Sequence, residues 1–111
     1  MMYTDFTAGN RNYRLRLNTR SLVQLEKQLG KNPVAVFANI SETNLPTITD
    51  MVNILYCSLQ AYEHGITLNT AYDIFDDYVA DGHNPMEFIN VIYEIFVASG
   101  LIPKQDEAEK N

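Results

Sequence analysis

With 111 residues, 46% of them hydrophobic, the chain can enclose one core but not two, so one domain is expected over 1–102. A net charge of −6 argues against general nucleic-acid binding, and a single cysteine, Cys57, excludes an internal disulfide. The N-terminus has no basic start and no apolar run, and no segment reads as a membrane span. A protein of a reducing cytoplasm, neither exported nor inserted in a membrane, is therefore the expectation.

Residues 3–17 read as a β-hairpin. Tyr13, Leu15 and Leu17 alternate with Arg14 and Arg16, the period-two pattern of a half-buried strand. Tyr3 to Thr7 can pair back across a turn-rich stretch, Ala8 to Asn12. A lone hairpin is marginal in water, so helices are expected beneath it.

Five helices follow, at about 20–29, 33–40, 47–64, 68–80 and 85–99. Thr19 can cap the first, which carries Leu22, Leu25 and Leu29 at core spacing before Gly30. Asn32-Pro33 restarts the chain as a cap followed by a first-turn proline. Thr47 opens the third helix, where Ile48, Met51, Val52, Leu55, Leu59 and Tyr62 form one apolar face and Gly65 terminates. Thr67 or Asn69 begins the fourth, which would bury Leu68, Ala71, Ile74, Phe75 and Tyr78. The fold class is α+β, mostly α, with a charged, mobile tail at 103–111.

The last helix is the unusual one. Asn84, Pro85 and Glu87 suit its first turn, and Gly100 its end. Between Met86 and Val97 only Glu87, Asn90 and Glu94 are polar, within a stripe roughly 60° wide. Such a helix either lies at the centre of the fold or shares a face with another molecule. Tyr56, Tyr72 and Tyr93 fall off the main stripes of their helices, which also leans toward a protein partner.

Charge is segregated. Residues 1–31 carry six basic side chains against two acidic, and the remainder two basic against twelve acidic. Two solvated faces are the simple reading; a head-to-tail contact between copies is the alternative. The candidate partner surface is Arg14, Arg16 and Arg20 on the basic side, Asp73, Asp76 and Asp77 on the acidic side, and Tyr93 with Phe96 on the last helix.

No catalytic, metal or cofactor site emerges. Cys57 and His64 lie about 10 Å apart along one helix, beyond the reach of a nucleophile–base pair. Neither His64 nor His83 has a partner at ligand spacing. The aspartates at 73–81 sit on a convex outer face, and the five glycines are isolated. The arginines of 11–20 could follow a phosphate backbone, but the acidic remainder would repel it. The expectation is a non-enzyme without cofactor, binding neither nucleic acid nor membrane.

Three stretches carry a family likeness: YRLRLNTRSLVQLEKQLGKNPVAVF (13–37), GITLNTAYDIFDDYVADG (65–82) and PMEFINVIYEIFVASGLI (85–102). In this order they resemble the tail assembly chaperones of siphophages, especially those of Gram-positive hosts. The likeness rests on helix punctuation, not on chemistry. It implies a late, non-catalytic protein of the host cytoplasm that coats the tape measure protein as tail tube subunits polymerise. Such a protein is absent from the mature virion, and many have a longer frameshifted product. The competing reading is a small virion component of the head–tail connector or tail completion type.

Overall fold

Two successive residues with positive φ, Gly9 at 60° and Asn10 at 68°, turn the chain at its N-terminus. That is the backbone of a two-residue hairpin turn whose twist matches the flanking strands. The turn is therefore tighter than the five residues expected from composition. Strands β1 (Thr4–Ala8) and β2 (Arg11–Leu15) pair antiparallel, with Ala8 opposite Arg11 and Phe6 opposite Tyr13. The register puts Phe6, Ala8, Tyr13 and Leu15 on one buried face. The computed structural model describes residues 2–103, and the expected tail lies outside the described residues from 104 onward.

Five α-helices follow, as the sequence indicates: α1 (Thr19–Leu29), α2 (Pro33–Ala38), α3 (Ile48–Leu59), α4 (Leu68–Ala80) and α5 (Phe88–Ala98). Their starts are set by side chains that accept from otherwise unpaired backbone N–H groups. Thr47 and Thr67 act as expected, accepting from Asp50 and Thr70. For α1 the cap is Asn18 and not Thr19; its Oδ1 accepts from the Ser21 N–H at 2.9 Å. Gly30, with φ of 73°, ends α1 and donates its N–H to the Glu26 carbonyl.

Three boundaries move. The third helix stops at Leu59 instead of 64, because Gln60 Nε2 bridges the carbonyls of Tyr56 and Ile66, each at 3.1 Å, and curls the chain. The second stops at Ala38 instead of 40, where Asn44 Nδ2 donates to the Asn39 carbonyl. The last begins as one 3₁₀ turn, Pro85–Glu87, before becoming α5.

The central helix is α3. It packs against α1, α4, α5 and β2, and eight of its twelve residues are buried. The apolar face expected for it is only partly right: Ile48 and Tyr62 are exposed, whereas Asn53, Cys57 and Ser58 are buried. Their polarity is partly absorbed locally: Ser58 Oγ donates to the Leu55 carbonyl and Asn53 Nδ2 to the Thr49 carbonyl, while Asn53 Oδ1 is buried without a hydrogen-bond partner among the described residues. The hairpin lies across α3, α4 and α5. Phe6 meets Tyr78 at 5.0 Å and Phe88 at 5.8 Å between ring centroids, so one aromatic cluster joins β1, α4 and the start of α5.

Candidate functional site

The apolar surplus of α5 is divided between core and surface. Phe88, Ile92, Ile95 and Phe96 are buried against the rest of the chain. Phe96 is 0% exposed and meets the Phe37 ring at 5.1 Å, so it is core and not part of the partner surface assigned to it from sequence. Half-buried Ile89, Tyr93 and Val97 recur every four residues and leave one flank of the helix open.

Two grooves run beside that flank. The first, of 560 Å³, lies between α2 and α5 and is lined by Val34, Phe37, Ala38, Ile40, Ile89, Ile102 and Pro103. Every lining side chain is apolar. The second, of 470 Å³, lies between α5 and β1, where Tyr93, Val97 and Ala98 face Tyr3, Thr4 and Asp5. The Phe37 and Tyr93 rings stack at 6.2 Å and 27°, forming the wall between them. Sequence reading found Tyr93 but missed Val34, Phe37 and Ile40. The signal available was the unbroken apolar run Val34 to Ala38, on a helix too short to bury all of it.

The basic hairpin is turned mostly toward its own molecule. Arg16 Nη1 donates to the carbonyls of Met2 at 2.7 Å and Ala98 at 3.2 Å, placing a cation at the C-terminal end of α5. Leu17 N–H donates to Ser99 Oγ beside it. The guanidinium of Arg14 lies over the rings of Tyr3 and Tyr62, at 5.3 and 5.4 Å, while remaining exposed. Arg11 pairs with Glu63 at 3.3 Å. Arg20, on α1, stays exposed and is in no ion pair among the described residues.

The acidic face is divided as well. Asp81 Oδ2 accepts the Gly9 N–H at 2.8 Å, and a Cβ at Gly9 would stand 2.8 Å from Asp77 Oδ2. Asp77 therefore lies against the hairpin tip of its own chain. Asp73 and Asp76 remain on the outer face of α4, exposed.

At the start of α5, His83, Asn84 and Glu87 form one hydrogen-bonded unit. Asn84 Oδ1 accepts from the Met86 N–H, and Glu87 accepts from the Asn84 N–H and from His83 Nδ1, the latter at 3.0 Å. These bonds hold the Glu87 carboxyl below its ordinary pKa, the His83 bond contributing most. The His83 ring stacks on Tyr78 at 4.3 Å. Burial first, and the Glu87 charge second, raise the Tyr78 phenol. Cys57 is fully buried, and burial pushes its thiol up to about 12, which leaves it protonated at neutral pH. Among the described residues no group of three or more His, Cys, Asp or Glu side chains could hold a metal ion, and no helix is long and apolar enough to cross a membrane.

A family model described as a family of unknown function (DUF6096) matches residues 4–111, spanning the hairpin and all five helices. The chain belongs to that family. No curated protein and no solved structure matches the chain. The DUF6096 match names no activity and no partner; what it adds is that the hairpin and the helical body fall within one family unit.

Proposed function

We propose that this chain is a non-catalytic chaperone of phage tail assembly, which shields the helical tape measure protein in the host cytoplasm and does not stay in the mature virion. One observation carries the reading: the groove between α2 and α5, whose lining side chains are all apolar and which is walled by the Phe37–Tyr93 stack. Its side chains stand on two helices, and an amphipathic client helix laid between them would bury Ile89, Val34 and Phe37 with its own apolar stripe. The likeness of residues 13–102 to siphophage tail assembly chaperones supplies the class of client, and a long, largely helical protein meets the need of that groove. The tail tube protein is a second partner on the same reading, met when the client is handed over.

Co-expression with a long coiled-coil tail protein tests this. The client is expected in the soluble fraction only in the company of this chain, and Val34→Asp or Ile89→Asp should return it to the pellet without unfolding the chaperone. A client equally soluble alone, or rescued equally by both variants, would refute the reading. Recovery of the chain from purified particles would instead point to a structural virion protein.

A further inference from the structure

Helices α1 and α4 both pack on α3, without extensive contact between them, so their outer faces look out from different sides of the molecule. Each face carries an exposed valine beside a pair of like charges. On α1, Val23 is 45% exposed between Arg20 and Lys27; on α4, Val79 is 39% and Tyr72 45% exposed beside Asp73 and Asp76. The spacings place each set on a single ridge: Arg20, Val23 and Lys27 span about 60° of α1, and Val79, Tyr72 and Asp76 span about 60° of α4 with Asp73 on their flank. Glu26, the other charge on α1, falls about 120° from Arg20 and about 60° from Val23, on the flank of the ridge away from both basic side chains. None of Arg20, Lys27, Asp73 and Asp76 makes an ion pair among the described residues.

We infer that the α1 ridge of one copy docks on the α4 ridge of the next, making a head-to-tail contact between copies of this chain. On α1 two cations stand either side of Val23, and on α4 two aspartates stand between Tyr72 and Val79. Each ridge thus carries one charge sign beside exposed apolar side chains, and the two signs are opposite. Because the two ridges are different surfaces on different sides of the molecule, the contact leaves an unused ridge at each end and can propagate. Two basic side chains on an otherwise acidic protein are too few for a polyanion, which removes nucleic acid as the occupant of the α1 ridge. The inference rests on α1 and α4 alone and is independent of the groove and its client.

Sedimentation velocity over a range of protein concentrations reads the contact without any client. The wild-type chain should grow in mass with concentration at low salt and lose that growth at ~1 M salt, where the Debye length falls to roughly 3 Å. Arg20→Glu/Lys27→Glu and Asp73→Lys/Asp76→Lys should each weaken association by at least about tenfold, since each sets like charges face to face. All four positions are exposed, so both variants should keep the wild-type thermal melt. Mixed in equal amounts they should assemble again, because every junction in an alternating chain pairs opposite signs. A wild-type chain that stays monomeric at low salt, variants that associate like wild type, or a mixture that stays dispersed would each overturn the contact.

Discussion

Helices α3 and α5 are nearly equal in length, twelve and eleven residues, and α5 is the more apolar by composition. Yet α3 buries eight residues and α5 four. The difference is one of neighbours. α3 is enclosed by α1, α4, α5 and β2. By contrast α5 rests on α3 and β1, meets α2 and α4 through the rings of Phe37, Phe75 and Tyr78, and leaves its Ile89–Tyr93–Val97 flank facing two grooves. Composition measures how much a helix stands to gain from burial; topology decides whether anything covers it. α3 can sit at the centre despite Asn53 and Ser58 because Asn53 Nδ2 and Ser58 Oγ bond to backbone carbonyls of their own helix, which leaves Asn53 Oδ1 as a buried acceptor without a partner among the described residues.

The comparison breaks most directly by truncation. Phe96→Ala and Leu55→Ala remove fully buried side chains, and should cost about 3–5 and about 2–5 kcal/mol respectively in urea unfolding. Ile89→Ala, on the open flank, should cost only about 1 kcal/mol, since a half-buried side chain has half as much to lose. Equal losses at Leu55 and Ile89 would mean that the groove is closed in solution and that α5 is as enclosed as α3.

A smaller effect tests the hairpin that roofs α3 and α4. Gly9→Ala places a side chain at φ of 60°, and should destabilise by about 1–2 kcal/mol. The new methyl also meets Asp77, whose carboxylate can swing aside but whose Cβ, 3.1 Å away, is kept in Asp77→Ala, so most of the loss should persist in an Asp77→Ala background. Disappearance of the loss in that background would assign the cost to crowding and not to the backbone.

The smallest effect sharpens the account of how α5 begins. The Glu87 carboxyl is held below its ordinary pKa when folded, so near that ordinary value the unfolded chain binds more protons than the folded one. Its contribution is therefore present at neutral pH and lost as pH falls through the depressed folded value. Hydrogen exchange at Phe88 and Ile89 should quicken below the ordinary carboxylate range beyond the intrinsic pH dependence of exchange. In Glu87→Gln that extra acid sensitivity should vanish; its persistence would place the switch elsewhere.

Much of the fold was legible in local chemistry. Asn32-Pro33, Thr47, Thr67 and the Asn84–Glu87 pair announce helix starts because a cap needs only its own next three residues. Alternation in Tyr13-Arg14-Leu15 likewise announced a strand with one wet face. The candidate surface was legible only in part. Tyr93, Arg20, Asp73 and Asp76 stand at the surface, but Phe96 is core, Arg16 is committed to the Ala98 carbonyl and Asp77 lies against the hairpin tip.

What the sequence determined by itself was therefore the set of elements and most of their caps and apolar stripes, the α1 cap and the α3 face excepted, since these depend mainly on residues within a few positions of one another. What only tertiary structure decided was which helix became the centre, which charges were consumed inside the molecule, and which flank of α5 stayed open. Those outcomes depend on contacts between residues tens of positions apart, such as Arg16 with Ala98 and Gly9 with Asp81, and no local pattern encodes which distant surface will arrive to cover a given face.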